Sequence, residues 1–179
     1  SQFDKVIRCF LDAAKDFFSQ TQEHKNIHVF SKEGYGYEYR GPENPNEYKE
    51  TIHLYSRYHL PIGASDEDRR FVSIAKMLIQ ILKPTIRLVA EVVSQASGKD
   101  LVDFLVSSLS KATLRVIYYP PDIPGMQRDF LATEHIDKGF TTHLGETSQG
   151  LQIFWNGTWV DVAEVSGFVH GYAGMLGQY

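Results

Sequence analysis

The sequence predicts an α+β protein in which flanking N-terminal helices precede an incomplete double-stranded β-helix of the jelly-roll kind. Three observations predict it. Through most of residues 1–112, apolar residues recur at three- and four-residue spacing, the period of a helix with one buried face. From Thr113 the pattern changes to short runs rich in β-branched and aromatic residues. Turn pairs such as Asn156-Gly157 separate those runs, as in antiparallel barrels and jelly rolls. The expected organisation is a helical region over 1–112 packing on a partial barrel core over 113–179.

The elements follow in order. Phe3, Val6, Ile7, Phe10, Leu11, Ala14, Phe17 and Phe18 lie at helical spacing and predict an amphipathic helix over 3–19. His24 and His28 are four apart, a spacing that zinc ligands on a helix can have. No glutamate stands between them in the metalloprotease arrangement, and Lys25 and Asn26 make the segment polar, so a solvated helix end is expected. Gly34 to Tyr39 alternates aromatics with small or acidic residues, which predicts a short strand with its tyrosines on one face. Such a strand is either an arm packed on the core or a tyrosine-lined pocket mouth. Gly41 to Asn46 is a turn by composition. His53 and His59 read as packing or surface histidines.

Asp66-Glu67-Asp68 is an acidic helix start, favourable at the positive end of a helix dipole. Phe71, Ile74, Ala75, Leu78, Ile81, Leu82, Leu88, Val89 and Val92 mark the buried face of that helix. Pro84 is expected to kink or divide it, and Gly98 to end it. A shorter helix is expected over 100–109. Leu114 to Tyr119 reads as a strand stopped by Pro120-Pro121, with Arg115, Ile117 and Tyr119 on one face. Leu151 to Phe154 and Trp159 to Val162 are strands joined at Asn156-Gly157, a strong hairpin signal.

At 179 residues the chain suits one domain with a real core. Hydrophobic residues make up 42% and charged residues 22%, ordinary for a soluble protein. A net charge of -4 and a pI near 6.0 argue against a general nucleic-acid binder. Cys9 is the only cysteine, so no intrachain disulfide forms, which fits a reducing, cytoplasmic setting. No charged-then-apolar leader opens the chain. The longest apolar stretch, residues 71–82, is interrupted by Lys76 and Gln80 and is too short to span a bilayer, so no membrane association is expected.

The chemistry concentrates in His135-Ile136-Asp137. Side chains two apart on an extended strand point to the same face. An imidazole and a carboxylate projecting together supply two thirds of the 2-His-1-carboxylate facial triad of non-haem Fe(II) oxygenases. The pattern by itself is common, and a hydrogen-bonded strand histidine would read the same way. His143 shares the parity of Asp137 but lies six residues along, about 20 Å at ~3.3 Å per residue, too far to share an ion.

What surrounds the motif is more specific. Leu114, Arg115, Tyr118, Tyr119 and Pro120 precede it. Gly139, Thr142, Leu144, Gly150, Leu151, Gln152, Gly157, Trp159, Val160 and Gly167 follow. In order and approximate spacing this run resembles the core of the isopenicillin N synthase-like Fe(II)/2-oxoglutarate dioxygenases: L-R-x-N-Y-Y-P, H-T-D-x-G, T-L-L, G-L-Q-V and G-x-W-V. Upstream, AAKDFFSQTQEHKN resembles that family's helix ending in A-x-x-F-F with a following E-x-K. Gly34-Tyr35-Gly36 and Lys49-Glu50 are similar to its G-Y-G and K-E-x-F segments.

The resemblance implies His135 and Asp137 as metal ligands and catalytic residues, with Fe(II) and 2-oxoglutarate as cofactors. It also implies Tyr119 as a contact to 2-oxoglutarate or substrate, molecular oxygen as co-reactant, and a small organic substrate that is hydroxylated, desaturated or cyclised. Ile117 stands where many members have asparagine, which removes a polar contact from the cosubstrate pocket. The family's second histidine and its R-x-S strand come after the point where this chain stops, and its opening strand comes before Ser1. Both ends are therefore expected to be cut, and this length alone to bind iron weakly and turn over poorly. His170, the last histidine of the sequence, is a candidate third ligand, but its place corresponds to an ordinary strand position in the family. The alternative is a non-catalytic jelly-roll relative serving as a ligand-binding or interaction module.

Overall fold

The computed structural model describes residues 2–100, 102–107, 113–126, 131–136, 140–143, 150–163 and 170–173. They divide into two compact units, residues 12–135 and residues 1–11 with 136–179. Helix α1 (Gln2–Phe18) is the amphipathic helix expected from its apolar spacing. Its residues Ala13, Ala14, Phe17 and Phe18 are buried. Thr21 then caps the one-turn helix α2 (Gln22–Lys25), its side chain accepting from the His24 backbone N–H.

The first unit holds a three-stranded antiparallel sheet of β1 (Gly36–Arg40), β2 (Lys49–Tyr55) and β3 (Thr113–Tyr118), in that spatial order. Tyr37 pairs with Ile52 and Ile52 with Val116, while Leu54 pairs with Leu114. By the two-residue pleat these side chains share a face, on which Tyr37, Ile52, Leu54 and Leu114 are all buried. Strand β3, expected to open the barrel portion, is thus the ladder partner of β2. Gly36 has φ 112°, and a Cβ there would collide with the Val29 carbonyl. Glycine lets the strand pass that close to the preceding loop, where the Tyr37 N–H donates to the His28 carbonyl at 2.7 Å. Tyr37 and Tyr39 share a face, but Tyr37 is buried and Tyr39 exposed. Tyr37 is a core residue, and the pocket-mouth alternative does not hold for it.

Helix α3 (Asp66–Ser97) starts with a full capping box. The Ser65 side chain accepts from the Asp68 N–H, and the Asp68 carboxylate accepts from the Ser65 N–H. Phe71, Val72, Ala75, Leu78, Ile79 and Leu82 are buried along it. The helix continues through Pro84 instead of dividing there. A proline in a helix interior costs about 3 kcal/mol, and buried residues on both sides, Leu82 before and Ala90 after, keep the run helical across it. Gly98, at φ 66°, supplies the left-handed cap that ends it. Helix α4 (Val102–Ser107) follows, shorter than expected among the described residues. No described helix is long and apolar enough to cross a membrane.

In the second unit, β4 (Phe140–His143) pairs antiparallel with β7 (His170–Ala173). Strand β5 (Gln152–Trp155) pairs with β6 (Thr158–Asp161). Their turn has Asn156 at φ 49° and Gly157 at φ 83°, both left-handed, as a type I′ hairpin requires. The mixed α+β class is as expected. Among the described residues, however, the strands form three small antiparallel sheets and not one continuous barrel wall.

Candidate functional site

His135 lies in residues 131–136, which are irregular and not a strand, and strand β4 is described over Phe140–His143. At His135 itself the expected strand is not formed. A local bond takes the place of a ladder: His135 Nδ1 is 2.8 Å from the Thr133 carbonyl oxygen, two residues back. A carbonyl can only accept, so Nδ1 is the protonated nitrogen, and in the neutral ring the lone pair sits on Nε2. In metal-binding histidines a bond of this kind, on the nitrogen away from the ion, fixes the tautomer and the ring orientation. The imidazole is exposed. Its donor chemistry fits a divalent iron.

Asp137 lies outside the described residues. Tyr119 is half-buried and directly follows β3, which ends at Tyr118, one residue earlier than expected. Arg115 and Ile117, on the face predicted to include Tyr119, are exposed, and they pair with His53 and Thr51 of β2. His143 and His170 occupy directly opposite register positions in β4 and β7. Sequence spacing alone does not bring those two together, because a pairing register is set by both strands. Among the described residues no group of three or more His, Cys, Asp or Glu side chains is arranged to hold a metal ion.

Two polar clusters escape the sequence reading. Lys25 and Glu50 are both buried, with Lys25 Nζ 2.5 Å from Glu50 Oε2 and 3.0 Å from the Phe18 carbonyl oxygen. Tyr37 Oη lies 2.6 Å from the same Glu50 oxygen. Burial, and then its bond to Glu50, push the Tyr37 hydroxyl up, so it stays a neutral donor. These two charges belong to the segments that resemble E-x-K and K-E-x-F, so that part of the resemblance marks a structural pair. The available signal is a lysine and a glutamate, each beside residues that read as core. The second cluster corrects the reading of His24 and His28 as a solvated helix end. His28 is buried, His24 is half-buried, and both approach the buried carboxylate of Asp68.

No protein-family model and no curated protein matches the sequence. Among solved structures, a full-length Neurospora crassa protein in complex with alpha-KG and 5-formyluracil superposes with a TM-score of 0.73 at 19% identity. The match covers 96% of this chain and 58% of that one, so this chain spans somewhat over half the length of its structural relative. At that identity the likeness establishes one thing: this chain has the fold of the corresponding part of the Neurospora protein.

Proposed function

We propose that the chain is part of a non-haem Fe(II)/2-oxoglutarate-dependent oxygenase acting on a small organic molecule. The observation that carries this reading is a coincidence: the His135-Ile136-Asp137 run lies in a chain whose fold is shared with a structure holding alpha-KG, which is 2-oxoglutarate. In this reading His135 and Asp137 hold the metal, and Tyr119 faces the cosubstrate or substrate. The Thr133 carbonyl keeps the His135 proton on Nδ1, so that Nε2 is the donor atom. Asp137 binds as the carboxylate, and both groups must shed protons to bind, so metal affinity falls in acid. Bound Fe(II) and 2-oxoglutarate supply the oxidising chemistry, by decarboxylation of the cosubstrate to succinate with molecular oxygen. The protein's part is to bind, orient and enclose.

The test is succinate release from 2-oxoglutarate with added Fe(II), for the chain, for His135→Ala and for Asp137→Ala. Weak iron-dependent release that a C-terminally extended form strengthens, and that both substitutions abolish in that form, is the expected result. Robust release that is equal in the extended form and in its two variants overturns the assignment. One observation favours the non-catalytic alternative: Ile117, which replaces the family's asparagine, is exposed. Iron uptake that depends on Asp137 but consumes no 2-oxoglutarate selects that alternative.

A further inference from the structure

Three segments of the first unit converge on one buried carboxylate. Asp68 Oδ1 accepts from Gln20 Nε2 at 2.8 Å. Asp68 Oδ2 accepts from the Ser65 N–H at 2.8 Å and lies 2.8 Å from His24 Nε2. His28 Nε2 stands 3.3 Å from the same Oδ2, and it is buried without a hydrogen-bond partner. That oxygen already takes two donors, which is a physical reason for the long approach of the third. The other nitrogen, His28 Nδ1, is 2.8 Å from Tyr58 Oη. Phe17 meets the imidazole edge-on at 5.3 Å, and the Tyr58 ring stacks on it at 6.2 Å. The polar atoms around His28 suit a neutral ring, with Nε2–H toward the carboxylate and Nδ1 accepting from the Tyr58 hydroxyl.

We propose that this cluster is an acid-operated clasp, in which proton uptake at His28 opens the junction between the segment after α1 and the N-terminus of α3. A protonated His28 carries a second N–H at Nδ1, which points at a hydroxyl already donating to it. The Tyr58 proton must then turn away, and Nε2–H still meets a filled acceptor. A buried cation whose hydrogen bonds are incomplete is costly. Burial holds His28 below the ordinary imidazole value of 6.5, against the opposing pull of Asp68. Asp68 itself is pushed up by burial, but bonds from Gln20, His24 and Ser65 outweigh this and bring it to about 2. Burial, then Asp68, push Tyr58 up to about 12. Neither group changes charge between about pH 8 and pH 5. His24 donates through Nε2 to the same Asp68 oxygen, and a charge on it further disfavours a proton on His28. Lys25 and Glu50, the other buried charges of this unit, are paired with each other.

The sign follows from linkage. The folded His28 binds its proton less readily than an unfolded histidine, so the open form takes up the proton first. The clasp is at full strength above about pH 6.5 and weakens as the pH falls through that value. One proton taken up on opening multiplies the open population by at most about tenfold per pH unit. The experiment is amide hydrogen exchange of the whole chain from about pH 8 to pH 5, with the His28 ring followed by NMR. The Tyr37 and Arg69 amides, bonded to the His28 and Ser65 carbonyls, report the two sides of the clasp. Corrected for intrinsic exchange, their opening is expected to rise toward that slope below about pH 6.5, with no ordinary titration of His28 in the closed form. In His28→Gln the rise should flatten. If that variant does not fold, the unsubstituted chain decides. Unchanged opening across the range, or a His28 that titrates normally while both amides stay protected, overturns the proposal.

Discussion

The β1–β2–β3 sheet and the β5–β6 hairpin are built from similar residues and put them to opposite use. In β2, Ile52 and Leu54 are at most 1% exposed. In the hairpin, Phe154 is 61% and Trp155 64% exposed, and every residue of both strands is exposed. The sheet is held by the helices and by buried polar pairs. The hairpin is held by its turn, its ladder, the Phe154–Trp159 ring contact and the Gln152–Asp161 side-chain bond. An isolated two-stranded hairpin is marginally stable in water. The contrast teaches that matching a family pattern and burying a core are separate properties. Among the described residues, Gln152, Trp159 and Val160, which carry part of the resemblance, lie in strands that are exposed throughout.

The largest expected effect breaks the sheet side of this comparison. Glu50→Ala leaves Lys25 charged, buried and without its carboxylate, and it should cost about 3–5 kcal/mol, seen as a lower urea midpoint. A fall under about 1 kcal/mol would mean the pair contributes no more than a surface ion pair. A smaller effect is expected in the hairpin turn. Gly157 sits at φ 83°, so Gly157→Ala should cost about 1–2 kcal/mol. The loss should appear as faster exchange of the β5 and β6 amides, with the unfolding midpoint of residues 12–135 unmoved. A shift of that midpoint would show the hairpin coupled to the sheet. The smallest effect sharpens the comparison further. Phe154→Ser should cost the hairpin about 0.2–1 kcal/mol, the worth of its cross-strand contact with Trp159, since the ring is otherwise largely in water.

Local chemistry is legible in the sequence. The apolar period of α1, the acidic start of α3, the Gly98 stop and the Asn156-Gly157 turn each act through neighbouring residues, and each appears where expected. What is not legible depends on partners far along the chain. Residues 114–119 read as a strand, but nothing local says that the strand belongs beside β2. His24 and His28 read as solvated because their carboxylate partner lies forty or more residues on, at Asp68. The local meaning of Pro84 is a kink or a break, and the break does not occur where buried residues flank it on both sides. At the candidate site, the residue types are readable and the backbone beneath them is not: His135 sits in irregular chain, tied to the Thr133 carbonyl.

The most direct test of the proposed chemistry is an anaerobic Fe(II) titration of the chain beside its His135→Ala and Asp137→Ala variants, read by calorimetry. Saturable one-to-one binding that weakens in acid and is lost in both variants is the result expected if these two side chains share the ion. Uptake that is the same in all three proteins would contradict it.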